Sequence, residues 1–394
     1  MTAGAGGSSA DATPVWEAGP GTGRGTAVPP RVEALVVGGG ITGVNLLHRL
    51  RAAGVDAWLV EARHLAAGAS GRNAGFLLAG VAANYAAAAR AHGRARAGEI
   101  WELSRHSRRL MHGLLGDRAG LRRRGSLVMP AGAAELEELR EALELLRADG
   151  LPAEWRRVEP GVPALLDPEG AELDPAAAVR AIAAPHAERV VEGMAVAGIA
   201  PGADGVTVRF QTSAPGGAET LAGTVILATN AYTRLLAPVP IEPVRGQMLA
   251  TAPAGRLATP LPVYSDHGYR YWRQREDGRV LVGGYRDLAL EAEVGYDQAP
   301  TAAVQHHLDA HLTGLGVDAP VTHRWAGTMG FTPDELPLVG PLPDLPGVMV
   351  CAGYTGHGMG FAAACAELLV AGLTGAGRTP AWLAPERFPR VTAT

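Results

Sequence analysis

An α/β fold, with one domain assembled from discontinuous segments, is predicted by three observations. The stretch LVVGGGITG over 35–43 reads as strand, turn and helix, with Gly38, Gly40 and Gly43 in the spacing G-x-G-x-x-G. A similar strand, glycine-rich loop and helix closes the chain in VMVCAGYTGHGMGFAAACAELLVAGL. Between them, residues 241–284 are rich in strands, with EDG turning YRYWRQ back on RVLVGG.

In the first unit the first glycine makes the tight turn, the second lets a pyrophosphate touch the backbone, and the third packs helix on strand. The anion then rests on the helix N-terminus, where free N–H groups and the dipole favour negative charge. After Gly54, DAWLVEA reads as the second strand and ends in Glu61. An acid about 20 positions beyond the glycines accepts hydrogen bonds from a ribose. A dinucleotide is therefore expected on residues 32–62.

The loop LAAGASGRNAGFLLAG follows, holding Arg72 and Asn73, and a helical Ala- and Arg-rich stretch is expected over 82–115. RRRGSLVMP reads as a strand and residues 135–147 as an amphipathic surface helix. ERVVEGMAVAGI, VTVRFQ, TVILATNAY and VRGQMLAT read as further strands.

At 394 residues and 47% hydrophobic content the chain suits about two domains. A formal net charge of -4 argues against a nucleic-acid or anionic-membrane partner. No apolar run is long enough for a transmembrane helix. Residues 1–30, small, polar and rich in Gly and Pro, read as a disordered tail without signal-peptide features, which favours a cytoplasmic setting. Cys351 and Cys365 are the only cysteines, too few for a disulfide framework, and no lysine occurs anywhere.

VVGGGITGVNLLHRL with VEAR, then GASGRNAGF, ILATNAY, PVRGQMLAT, RQREDGRVLVGG, RWAGTMGFTPDELPLVG and AGYTGHGMGFA resemble, in that order, the FAD-dependent amine and amino-acid oxidoreductases that include glycine oxidase, sarcosine oxidase and γ-glutamylputrescine oxidase. The resemblance covers about residues 31–375 and selects FAD over NAD. It implies a Rossmann-like FAD-binding domain of discontinuous segments (31–90, 151–240 and 326–385) plus an antiparallel-sheet substrate domain (91–150 and 241–325). It also implies an enzyme that oxidises the C–N bond of a small-molecule amine to an imine by hydride transfer to flavin, with O2 or another acceptor reoxidising the FAD. An α-amino-acid oxidase or dehydrogenase is the alternative. An FAD monooxygenase, for which no G-D pair follows the late strand, and a catalytically inactive flavoprotein are further ones.

By the same resemblance Gly38, Gly40, Gly43 and Glu61 hold the ADP half, with Arg63 beside the ribose. Ser70, Arg72 and Asn73 form a second pyrophosphate contact, a guanidinium being complementary to phosphate. Val196 meets the adenine, and Thr229 begins a tight turn over the cofactor. Gly353, Gly356, Gly358 and Met359 lie where a helix beginning near Met359 aims its positive end at the flavin, and a protonated His357 would add to that field.

For the substrate, Tyr269, Arg270 and Tyr271 offer pocket groups, with Arg270 and Tyr271 on opposite faces of their strand. The carboxylate-binding residues of the relatives match Gly360 and Met329, so a bulkier amine beside an apolar Met329 is expected in preference to glycine or sarcosine; an arginine from elsewhere, Arg270 or Arg286, would reverse that. The lysine that activates oxygen in sarcosine oxidase matches Val282. No metal is expected. His307 and His311 lack a third ligand and read as a solvated helix face, and Arg122 to Arg124 read as a loop charge run.

The cysteine that links flavin covalently in sarcosine oxidase matches Gly327, and Cys351 reads as a core residue. Acid or heat is therefore expected to release intact FAD into the supernatant; flavin that stays with the denatured polypeptide would refute non-covalent attachment.

Overall fold

The computed structural model describes residues 12–16, 23–158, 161–211 and 218–389. β1 (Arg31–Val37) is buried over its last four residues and runs parallel to both β2 (Ala57–Val60) and the strand Ala218–Leu227. A strand covered on both faces needs continuous apolar residues, which AxVV-type runs supply. α1 (Ile41–Ala52) connects β1 to β2 and buries Val44, Leu46, Leu47 and Leu50. Val190–Val191 adds to β2, and Val348–Ala352 adds in parallel to the end of Ala218–Leu227. The glycine-rich units at the two ends of the chain thus meet in one sheet, as expected.

The C-terminal helix Gly358–Leu373 packs against α1 and against the helix Arg94–Leu115. The predicted helical stretch 82–115 is two helices, Tyr85–His92 and Arg94–Leu115, because Gly93 takes a left-handed φ of 82° between them. The surface helix appears over Ala133–Ala148.

The second large sheet has the order Val321–Phe331, Glu242–Pro253, Arg279–Gly284, Arg270–Gln274, Val263–Ser265, Ser126–Val128, Val162–Asp167, Glu154–Val158. All neighbours are antiparallel except Val263–Ser265 with Ser126–Val128. Residues 154–158 and 162–167, expected in the cofactor unit, belong here instead, since Trp155 and Leu165 pair across two adjacent antiparallel strands. The strand Val321–Phe331 also belongs wholly to this sheet, so its residues beyond 326 are not part of the parallel one.

The disordered-tail expectation is corrected for residues 12–16 and 23–30. Val15 and Trp16 are buried, and Arg24 and Gly25 donate backbone hydrogen bonds to Ala187 and Val190. The rest of 1–30 lies outside the described residues. Arg122 to Arg124 are no loose charge run either: Arg122–Arg123 is a short strand on Ala171–Glu172, Arg122 pairs with Glu276, and Arg124 with Glu172. His311 is half-buried, not part of a solvated face: it packs on Trp272 and bonds the Tyr285 hydroxyl at 2.8 Å. No helix among the described residues is long and apolar enough to cross a membrane.

Candidate active site

A cavity of about 570 Å³ opens between the ends of the parallel strands and the antiparallel sheet. Its first wall is the turn after β1. Gly38 sits at φ 112° and donates to the Val60 carbonyl at 2.8 Å. A Cβ at residue 43 would lie 1.9 Å from the Gly38 oxygen, and one at residue 40 would lie 2.8 Å from the Ser70 hydroxyl. Gly38 and Gly43 therefore make the tight turn and the close helix–strand contact that the motif assigns, while a side chain at residue 40 would strike the Ser70 hydroxyl.

Glu61 enters the same wall. Its carboxylate accepts the Gly39 N–H at 2.7 Å and the Arg63 N–H at 2.9 Å, which fixes it at the cavity edge with further lone pairs free for a ribose. The Ser70 hydroxyl accepts the Ile41 N–H at 2.9 Å, docking the 68–74 loop on the N-terminus of α1. Asn73 acts one step back, donating to the Ala69 and Ser70 carbonyls and accepting from Gly75, so its side chain shapes the loop and is not free to bind phosphate. Arg63, Arg72, Val196 and Thr229 all line the cavity. Thr229 precedes Asn230, whose φ is 46° and whose side-chain oxygen accepts the Gly353 N–H. Gly353 itself is therefore a correction: it lies under that turn against Thr332 and does not line the cavity.

Gly356, His357, Gly358, Met359 and Gly360 line the far wall, where the C-terminal helix begins at Gly358. Two helix N-termini thus point into one cavity. His357 is not the cation the sequence suggested. Burial pushes its pKa down from 6.5 to about 4, with a smaller downward push from Arg286 and an opposing hydrogen bond to the Thr355 carbonyl. That 3.3 Å contact requires the proton on Nδ1, leaving Nε2 a buried acceptor without a partner among the described residues.

The antiparallel sheet supplies the other side. Tyr271 lies in the cavity because Gly283 opposite it has no side chain; a Cβ there would meet the ring at 2.2 Å. Tyr269, Gly327 and Met329 line it as well. Arg270 does not: on the opposite face it forms a bidentate pair with Asp287 at 2.5 and 2.9 Å and stacks 3.8 Å from the Tyr285 ring. Val282 also faces away, in the core with Leu249 and Trp272, so it does not occupy a position beside bound flavin. Cys351 and Cys365 are buried outside the cavity, and burial raises the Cys351 thiol to about 12.

Phe76 and Tyr264, given no role by any sequence motif, complete the site beside Tyr271 and Arg286. Phe76, Tyr264 and Tyr271 form one aromatic wall with ring separations of 5.7 to 6.3 Å, and Tyr264 meets His357 edge-on. Tyr264 stands on a three-residue strand, too short for periodicity to mark. Arg286 enters with its guanidinium 4.5 Å from the Tyr269 ring and 4.6 Å from that of Phe331. The charged lining is Glu61, Arg63, Arg72 and Arg286, and among the described residues none of the three arginines has a carboxylate partner. They divide into two ends. Arg72 is lowered in pKa first by burial and then by Arg63, while Arg286 acts on Tyr264, Tyr271 and His357.

The glycine cradle, two arginines at one end without carboxylate partners among the described residues, a carboxylate with free lone pairs at the cavity edge and a buried acceptor on His357 fit a dinucleotide whose reactive ring lies between the sheets. This defines a dinucleotide-dependent oxidoreductase. Residues 33–371 match the family described as FAD dependent oxidoreductase, DAO, and the chain belongs to that family, with FAD as its cofactor.

Among curated relatives it is 28% identical, over 88% of its length, to the tRNA 5-methylaminomethyl-2-thiouridine biosynthesis bifunctional protein MnmC of Burkholderia thailandensis; the match spans 58% of that protein. It is 35% identical to glycine oxidase of Pseudomonas putida across 38% of this chain and 40% of the relative. It is 25% identical to the probable oxidoreductase OrdL of Rhizobium meliloti across 86% and 82%. Solved structures share the fold: L-proline dehydrogenase from P. horikoshii, with TM-score 0.74, 23% identity and 92% and 98% coverage, and glycine oxidase from Geobacillus kaustophilus, with 0.74, 21%, 92% and 100%.

The buried imidazoles have a consequence for stability. His357 and His311 are both lowered to about 4 by burial, against 6.5 in an unfolded chain. Between those values the unfolded state binds more protons, so folding stability is complete above 6.5 and falls as pH drops towards 4. Denaturant titrations of the apoprotein at stepped pH are expected to show that loss, with a shallower slope in His357→Gln; an equal slope would contradict a depressed His357.

Proposed function

We propose that the protein oxidises the C–N bond of a small amine that carries a carboxylate, an α-amino acid or an N-substituted glycine, to the imine. The carrying observation is Arg286: a guanidinium held between two rings in the cavity, with no carboxylate of the protein paired to it among the described residues. The sequence argument for an uncharged amine rested on Gly360 and Met329, which do line the cavity without charge. Arg286 supplies at the same cavity the cation they lack, and a planar guanidinium takes a carboxylate with two parallel hydrogen bonds. The 35% identity of a segment to a glycine oxidase supports the same substrate class.

Bound FAD supplies the acceptor for a hydride from the carbon next to nitrogen. The chain's own residues orient and enclose. Arg286 holds the carboxylate, Phe76, Tyr264, Tyr271 and Met329 form an apolar and aromatic surface for the substituent, and the hydroxyls of Tyr264 and Tyr271 stay protonated because burial raises their pKa, to about 12 for Tyr271. His357, neutral, presents an acceptor at Nε2. The N-terminus of the C-terminal helix, on the cavity wall, would favour negative charge on a group held beside it. As hydride leaves the carbon the nitrogen lone pair forms the C=N bond, so the amine must react neutral, and the iminium so formed releases its proton to solvent.

We favour a free small molecule over a tRNA-borne amine, because a formal net charge of -4 offers no field for a polyanion. Without any lysine in the chain, O2 is expected to reoxidise the flavin slowly and another acceptor to serve better. A cytoplasmic setting accords with two buried free thiols.

The test compares anaerobic flavin bleaching by amino acids and by the matching decarboxylated amines. In Arg286→Ala the amino acids are expected to lose affinity by about 3 kcal/mol, roughly a hundredfold, while the amines change little. Amines that outrun their carboxylated partners in the wild type would return the substrate to the uncharged class.

A further inference from the structure

The N-terminal residues that precede the family match do more than cover the surface. Trp16 is 3% exposed, and its indole N–H donates to the main-chain carbonyl of Asn73 at 2.9 Å. Asn73 belongs to the loop whose inner side lines the cofactor cavity through Ala69, Ser70 and Arg72. Its side chain is consumed within that loop, on Ala69, Ser70 and Gly75. The carbonyl is the group left for an outside element to grip, and the indole takes it. The Trp16 ring is held in turn by Arg273 and Arg275, at 5.2 and 4.8 Å, so the antiparallel sheet and the loop are joined through one side chain.

A second grip lies at the other end of the same loop. Glu192 accepts the Gly23 N–H with one oxygen, at 2.9 Å, and the Leu65 N–H with the other, at 2.6 Å. Leu65 opens the loop, and Met194 and Val196, just beyond Glu192, line the cavity. The Trp16 contact thus falls directly on the segment that lines the cofactor cavity, and the Gly23 contact reaches that segment through Glu192, while Arg24 and Gly25 bond elsewhere, to Ala187 and Val190. Family resemblance begins at residue 33, past all of these.

We propose that the N-terminal segment is a clasp that retains FAD, with Trp16 a positioning residue acting through Asn73 on the pyrophosphate loop. The route is short: indole to Asn73 carbonyl, Asn73 amide to Ser70 carbonyl, Ser70 hydroxyl to the Ile41 N–H at the start of α1. Loosening the loop raises the rate at which the cofactor escapes and leaves the substrate end, marked by Arg286, as it was. The inference rests on the family's cofactor and is independent of the substrate class.

The experiment measures FAD release from the full-length holoprotein, by recovery of flavin fluorescence after dilution, in wild type, Trp16→Ala and Trp16→Phe. Losing one hydrogen bond and two cation–ring contacts is expected to speed release about tenfold in Trp16→Ala; Trp16→Phe, which keeps a ring over the arginines, should be about threefold faster than wild type. With FAD saturating, the KM for substrate and the rate of flavin reduction should match wild type, and the melting temperature should fall further in the holoproteins than in the apoproteins. Release from Trp16→Ala within about twofold of wild type would overturn the clasp, as would equal losses of melting temperature in apo and holo forms, which signify a purely structural anchor. Should Trp16→Ala not fold, Trp16→Phe decides alone: unchanged release refutes the proposal.

Discussion

The close packing of α1 on β1 governs the cofactor cleft. A side chain at residue 43 would come within 1.9 Å of the Gly38 carbonyl, so α1 lies against β1 at a distance only glycine permits. That contact brings the N-terminus of α1 to the edge of the sheet, where the Ile41 N–H takes the Ser70 hydroxyl and the Gly39 N–H takes Glu61. The 68–74 loop and the Glu61 carboxylate are both hung from this turn. The C-terminal helix reaches the same cleft because it packs on α1, a joint reinforced by the hydrogen bond from the Thr42 hydroxyl to that of Tyr354.

Charge then divides the cleft. An unpaired arginine in a partly desolvated wall is costly unless an anion joins it. Arg63 and Arg72 stand at the end defined by the glycines, and Arg286 at the end defined by tyrosines and a neutral histidine. At the first end Arg63 is exposed and Arg72 donates to the Ala67 and Ala326 carbonyls, so the diphosphate reading there rests on the glycine turn and the N-terminus of α1. Arg286, half-buried and without a carboxylate partner among the described residues, calls for an anion at its end, in the reading favoured here a substrate carboxylate. Arg270, adjacent to that end in sequence, is neutralised by Asp287 on the opposite face and takes no part.

The cofactor half was legible because its chemistry is local. Gly38, Gly40, Gly43 and Glu61 lie within one strand–helix–strand unit, where spacing alone dictates geometry. The substrate half was not, since it is assembled across a sheet whose register no short window reveals. Strand alternation correctly separated Arg270 from Tyr271 but left open which face looks inward; Gly283, paired opposite Tyr271, decides it by leaving room for the ring. Val282, one residue along, faces the opposite way into the core for the same reason of alternation. Gly353 looked like part of a flavin loop, yet its N–H is taken by Asn230 from a strand end distant in sequence. Composition also misled at the N-terminus, where a segment poor in apolar residues still buries Val15 and Trp16, one indole being enough to anchor it.

The most direct test of the two-ended cleft is a crystal structure of the holoprotein with an unreactive carboxylic acid soaked in. The account predicts the diphosphate beside Gly40 and the N-terminus of α1, the flavin ring between Met329 and the start of the C-terminal helix, and the carboxylate in a two-point contact with Arg286. A carboxylate bound elsewhere, or Arg286 turned out of the cavity and paired with a protein acid, would contradict it.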